Sequence, residues 1–158
     1  MKKLLAIMVL GLLCSGNAFA EIITLHKCRD EGEKKMHSLD ERKYFTIDLK
    51  NKKVTKVITY SDKHHKANLK YNKENPDKQL PVNKTLIIER DIFYADENII
   101  KAKKETDMNS NWLQISNVEI DLNSYKAYGS LVYSPKKGQK IPDILKPSYQ
   151  VEDCLLKK

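Results

Sequence analysis

Few side chains in this sequence carry obvious chemistry, and those few point to binding rather than catalysis. Cys28 and Cys154 lie near the two ends of the chain, and a third cysteine, Cys14, sits inside an apolar leader. If the leader is removed on export, Cys14 goes with it and one pairing remains, in a compartment that permits disulfides. A Cys28–Cys154 bond would tie the first strand to the last segment and suppress fraying of both termini. The loop it encloses exceeds 100 residues, for which the chain-entropy model gives a stabilisation of about 5 kcal/mol. The other reading of Cys28, as a metal ligand together with His26, rests on a bare His-x-Cys pattern, which is a weak signal.

His64-His65 is the best metal candidate by residue type, since imidazole is a common zinc and copper ligand. Adjacent side chains of an extended chain point to opposite faces, and Lys63 and Lys66 would repel a cation. The pair therefore reads as part of a solvated polar loop, and neither a metal nor a cofactor is expected. Arg90 shares a strand face with Leu86, Ile88, Ile92 and Tyr94. If that face is the inner one, its guanidinium needs an internal carboxylate or the acidic head of a ligand, because an unpaired buried charge is severely costly. If the Glu89 and Asp91 face is inner instead, Arg90 is simply at the surface. Trp112, Phe93, Tyr125, Tyr128 and Tyr133 could wall a cavity for an apolar ligand or fill the core. The ligand-binding candidates are accordingly Arg90, Tyr94, Trp112 and Tyr133.

Catalytic scaffolding is harder to find. Beyond the leader the only glycines are Gly32, Gly129 and Gly138, so there is no glycine-rich phosphate loop and no Gly-x-Ser-x-Gly elbow. No pair of carboxylates stands out from ordinary surface charge. The expectation is a non-catalytic protein. Asn83-Lys84-Thr85 matches a glycosylation sequon, which reads as accidental beside a bacterial-type leader.

The elements that must position these residues are strands. Phe45, Ile47 and Leu49 alternate with Thr46, Asp48 and Lys50, the period of a half-buried strand. A turn at Lys50-Asn51-Lys52-Lys53, with Asn51 suited to a positive backbone angle, leads into Val54 to Tyr60. Thr85 to Tyr94 and Asn98 to Lys103 form a second hairpin about Ala95-Asp96-Glu97. Trp112 to Leu122 and Tyr125 to Tyr133 form a third about Asn123-Ser124, with Val118, Ile120 and Leu122 on one face. Ile-Asp-Leu at 47–49 recurs at 120–122, each time opening a turn, which reads as repeated hairpin chemistry. With Ile22 to Lys27 and Tyr149 to Cys154 added, the pattern predicts an all-β antiparallel meander of seven or eight strands, closing into a small barrel or folding as a sandwich. Three segments resist assignment: 29–43, 61–83 and 134–148. The polar stretches 29–43 and 61–75 have room for a helical turn or two. The third segment, with Pro135, Pro142 and Pro147 beside Ile141, Ile144 and Leu145, is the first candidate for a lid.

Residues 1–20 read as a cleavable secretory signal, with Lys2-Lys3, the apolar run Leu4 to Leu13 and the Ala18-Phe19-Ala20 site in order. The run is short of the roughly 20 apolar residues of a membrane helix, and no transmembrane segment is expected. A lipoprotein acylated at Cys14 is the alternative, though bulky Leu12 and Leu13 fit poorly before the modified cysteine. What remains, 21–158, is one β domain in size. The full chain carries a net charge of +8, or +6 without Lys2 and Lys3, and nearly all of its basic residues are lysine. Arg29, Arg42 and Arg90 are the only arginines, which argues against a specific nucleic-acid reader. Scattered lysine gives solubility or a weak attraction to anionic envelope surfaces.

The Met1-Lys2-Lys3 start, the Ala18-Phe19-Ala20 site, the paired Ile-Asp-Leu hairpins and the terminal cysteines resemble small exported proteins of Gram-negative bacteria. That resemblance implies a periplasmic or secreted location and brings no activity with it. Two functions stand: a binding module for a small apolar or acidic ligand, and an envelope protein that meets a partner or an anionic surface.

Overall fold

Eight antiparallel strands follow one another in chain order and close on themselves as a barrel. They are β1 (Ile22–Asp30), β2 (Asp40–Asp48), β3 (Lys53–Tyr60), β4 (Thr85–Ala95), β5 (Ile99–Asp107), β6 (Trp112–Asp121), β7 (Lys126–Pro135) and β8 (Ser148–Leu156), with one helix, α1 (Asp62–Glu74), between β3 and β4. The structure, a computed structural model, describes residues 22–31, 40–76, 80, 82–108, 111–136, 138–143 and 145–157. The leader at 1–20, with Cys14 and the Ala18-Phe19-Ala20 site, lies outside the described residues, as does Ile144.

In an up-and-down meander, alternate connections fall at the same end of the barrel. The turns at 49–52, 96–98 and 122–125 are all short and share one end, the base. The connections after β1, β3, β5 and β7 gather at the other end, the mouth, and three of the four are long.

At the base each turn is fastened by an aspartate. Asp48 accepts from the Asn51 backbone and side-chain amides at 2.8 Å each, and Asp121 from the Asn123 amide at 2.8 Å and the Ser124 hydroxyl at 2.7 Å. Asp96 accepts from the amides of Asn98 and Ile99 at 2.8 and 2.7 Å. The Ile-Asp-Leu repeat is thereby explained. Ile47 and Ile120 are fully buried, the aspartate holds the turn, and Leu49 and Leu122 pack against the core from its edge. Four residues beyond each aspartate of the repeat, Asp48 and Asp121, stands a positive φ, 53° at Lys52 and 57° at Tyr125. The left-handed residue of the first turn is thus Lys52, not Asn51, because Asn51 is spent on holding Asp48.

The seam between β1 and β8 carries a bulge, with register passing from His26↔Leu155 to Arg29↔Asp153 and Lys27 at φ 52°. The disulfide Cys28–Cys154 crosses this seam, with an S–S distance of 2.10 Å and Cα atoms 4.1 Å apart. It joins the first strand to the last, as the sequence predicts. Around it Leu25, Phe45, Ile47, Val54, Ile100, Ala102, Val118, Ile120 and Ala127 form a dry core filling the base half of the barrel.

Two stretches without a strand signal fold otherwise than expected. Asp40 to Lys43 belong to β2, where Lys43 opposite Ile58 faces inward. The signal was hidden because an inward lysine breaks the apolar alternation. Asp62–Glu74 forms more than a turn or two: α1 has 13 residues, capped by Ser61, whose Oγ accepts from the His64 amide at 3.2 Å. Its apolar content is low and only Asn68 is buried, so the helical period is nearly invisible in sequence.

Candidate functional site

Register assigns every strand residue to the inside or the outside of the barrel. Counting from the buried core residues, the inner face toward the mouth carries Lys43, Lys56, Arg90, Ser116, Gln150 and Glu152, and these are polar. An eight-stranded barrel has an interior just wide enough for packed side chains or one small ligand. Here the base half uses the first option. The mouth half holds a cavity of about 240 Å³ walled on one side by Lys56, Ile58, Ile88 and Arg90 and on the other by residues 129–131 and 148–150, with Ser116 between.

The buried charges divide into two groups. Glu152, 2% exposed, receives Lys56 at 2.7 Å and Lys43 at 3.5 Å, and Lys43 also stands 3.5 Å from Asp30. The Lys56 ammonium further lies 5.5 Å over the Phe45 ring, a cation–π contact that covers the top of the dry core. Burial pushes the Asp30 carboxyl up, but the Gln150 side-chain amide that donates to it and the Lys43 charge leave it below the ordinary aspartate range.

Arg90 is different. It is 7% exposed, and its Nε and Nη2 both donate to one neutral acceptor, Ser116 Oγ, at 3.1 and 2.8 Å. Its Nη1 is buried with no hydrogen-bond partner, and no carboxylate among the described residues lies within ion-pair distance of it. Burial lowers the Arg90 pKa, with the Glu152 charge acting against that fall, and the group stays cationic at neutral pH. A buried donor left unsatisfied costs about 1–3 kcal/mol. The two charged side chains that border the cavity are both cations, Lys56 and Arg90. Lys104, opposite Ser116 on the inner face, is exposed toward the mouth.

Of the other candidates, Tyr94 is on the outside. A bulge between Ile92 and Tyr94 inserts Phe93, so that Tyr94 pairs with Lys101 and leaves the face of Arg90. Phe93 is 60% and Tyr94 47% exposed, and the Tyr94 hydroxyl donates to Asp96 at 2.5 Å, which raises its own pKa. Trp112 and Tyr133 are on the inner face near the mouth and half-buried, and Tyr133 Oη accepts from Gln114 at 3.4 Å. Neither borders the cavity. Tyr125 packs against the core, whereas Tyr128 is exposed. Larger hollows lie elsewhere: Phe93 lines one outer groove with Leu49 and Tyr94 and another with Tyr128 and Tyr149, and a third hollow at the seam of β1 and β8 is bordered by Asp30, Glu31 and residues 148–151.

His64 and His65 lie on α1 rather than in a loop, and His64 stacks on Tyr60 at 4.7 Å between ring centroids. Neighbours on a helix do not face each other, and among the described residues no three metal-ligating side chains come together. The 134–148 segment is at the mouth, with Ser134 and Pro135 ending β7 and Ser148 opening β8. None of its described residues between the two strands borders the cavity. Several surface lysines are paired, Lys53 with Asp91, Lys84 with Asp62, Lys101 with Glu119 and Lys136 with Asp107.

Sequence reasoning missed Lys43, Lys56, Ser116, Gln150 and Glu152. A usable signal existed for Glu152 and Gln150. The disulfide turns Cys154 inward, and strand alternation then turns residues 152 and 150 inward too.

Compared with family models, curated proteins and solved structures, the chain has no match in any of the three. Among the described residues no helix is long and apolar enough to cross a membrane.

Proposed function

We propose that the chain is an exported, non-catalytic binding barrel that holds a small anionic ligand in the charged half of its interior. The observation that carries this reading is Arg90, a buried guanidinium beside a cavity, satisfied on one edge by a neutral hydroxyl and unsatisfied at Nη1. The other buried cations have Glu152 and Asp30 beside them, while Arg90 has a carboxylate only at a distance. An anion in the cavity supplies what the fold omits. The disulfide supports a periplasmic or secreted location, since such bonds persist in oxidising compartments.

Native mass spectrometry of the protein isolated under mild conditions tests this directly. A co-isolated small acid that is absent from Arg90→Met supports the reading. A neutral molecule retained equally by both proteins contradicts it.

A second reading has one observation in its favour, the exposed outer aromatics Phe93, Tyr94, Tyr128 and Tyr149, the last 76% exposed. Exposed apolar clusters mark contact surfaces. A closed barrel offers no free strand edge among the described residues, so a partner would have to meet side chains rather than extend the sheet. A protein co-isolated with wild type but lost from Phe93→Ser with Tyr149→Ser would favour this reading.

A further inference from the structure

The donors left on Arg90 specify more than a negative charge. A guanidinium has five N–H donors in a fixed plane. Ser116 Oγ occupies the edge formed by Nε and Nη2. Three donors remain, and two of them, one on Nη1 and the second on Nη2, form a parallel pair at the guanidinium end, spaced as the two oxygens of a carboxylate. Nη1 is itself out of solvent reach, so pairing requires a side-chain adjustment at the cavity wall.

Charge count narrows the class. Lys56, the other cation on the cavity wall, already holds Glu152 at 2.7 Å. Of the two cations that border the cavity among the described residues, Arg90 alone is uncompensated by contact, which suits a monoanion and leaves a phosphate dianion with an excess buried charge. Shape narrows it again. Ile58, Ile88 and Leu131 give the cavity apolar walls, and Ser148 and Gln150, both exposed, mark its wetter side. An apolar cavity of about 150 Å³ takes up benzene. At about 240 Å³ this one has room for a body of that size with a carboxylate attached.

We infer that the ligand is a small monocarboxylate with a compact apolar body, held end-on by Arg90; this rests on the reading of the cavity as an anion site. Benzoate is the probe, compared with benzamide, toluene and inorganic phosphate in calorimetric titrations of the full chain with its disulfide intact. Benzoate should bind, benzamide and toluene should bind roughly tenfold more weakly or worse, and phosphate should not compete. Arg90→Lys keeps a charge but loses the two-pronged end, and should weaken benzoate by about tenfold. Circular dichroism on the same sample confirms that the variant is folded, and Lys53→Met, which removes an exposed cation outside the cavity, should retain benzoate. Phosphate binding as well as or better than benzoate overturns the carboxylate assignment and leaves the anion cavity standing. Equal binding of benzoate and toluene, or no binding of any probe, overturns both.

Discussion

The two halves of this barrel are built from the same eight strands and solve opposite problems. In the base half, short turns fastened by Asp48, Asp96 and Asp121 close over a core of aliphatic side chains and Phe45, with the Cys28–Cys154 bond locking the seam. In the mouth half, the inner face carries Lys43, Lys56, Arg90 and Glu152, and a cavity opens beside Lys56 and Arg90. Buried ion pairs seldom stabilise a fold relative to apolar residues of similar size. The lesson is that stability resides at one end and the mouth half is free to be less than optimal. Arg90 Nη1 and Glu152 Oε1 are buried there without hydrogen-bond partners.

Perturbations of the two halves should therefore differ in size and in kind. Replacing Cys28 and Cys154 by serine should have the largest effect, about 5 kcal/mol in the chain-entropy model, read as a fall in the urea midpoint that reductant no longer changes. Phe45→Ala should cost about 4 kcal/mol, because it opens a cavity in the dry core and also removes the ring beneath the Lys56 ammonium. Glu152→Gln should cost about 3 kcal/mol, since it leaves two buried lysines without their shared anion. If Glu152→Gln proved harmless, the ion cluster would be no part of the native interior and the contrast between the halves would collapse.

The smallest effect belongs to pH. Hydrogen bonds from Asn51 to Asp48, from Tyr94 to Asp96 and from Ser124 to Asp121 hold these carboxyls below the ordinary aspartate range. A lowered folded-state pKa contributes stability that is fully present above the unfolded value, about 3.9, and is lost as pH falls through the folded value. Wild type should thus be more stable than Asp121→Asn at neutral pH, and the gap should close on acidification. A gap that stayed constant with pH would mean that the turn does not depend on the charged carboxylate.

How much of this was legible in the sequence follows the same division. The base half was readable, because buried Ile47 and Ile120 alternate with polar neighbours and their aspartates open turns in the same way. The disulfide followed from cysteine number once export was assumed. The mouth half was not readable in the same manner. Lys43 and Lys56 occupy inner positions that the alternation rule assigns to apolar residues, and the pattern there reads as noise. The Phe93 bulge shifted Tyr94 to the outside by one residue, which no local signal announces. Arg90 was found because its strand neighbours Ile88 and Ile92 were apolar, so that one charge stood out against them. Its partner Ser116 could only come from the register of β6 against the other strands.

The central claim is that Arg90 is kept for a ligand and not for the fold. Equilibrium urea unfolding of ligand-free Arg90→Met against wild type tests it most directly. The account expects the variant to be as stable as wild type or more stable, because methionine buries a similar volume without an unsatisfied donor. A loss of about 2 kcal/mol or more would make Arg90 a structural residue and contradict the claim.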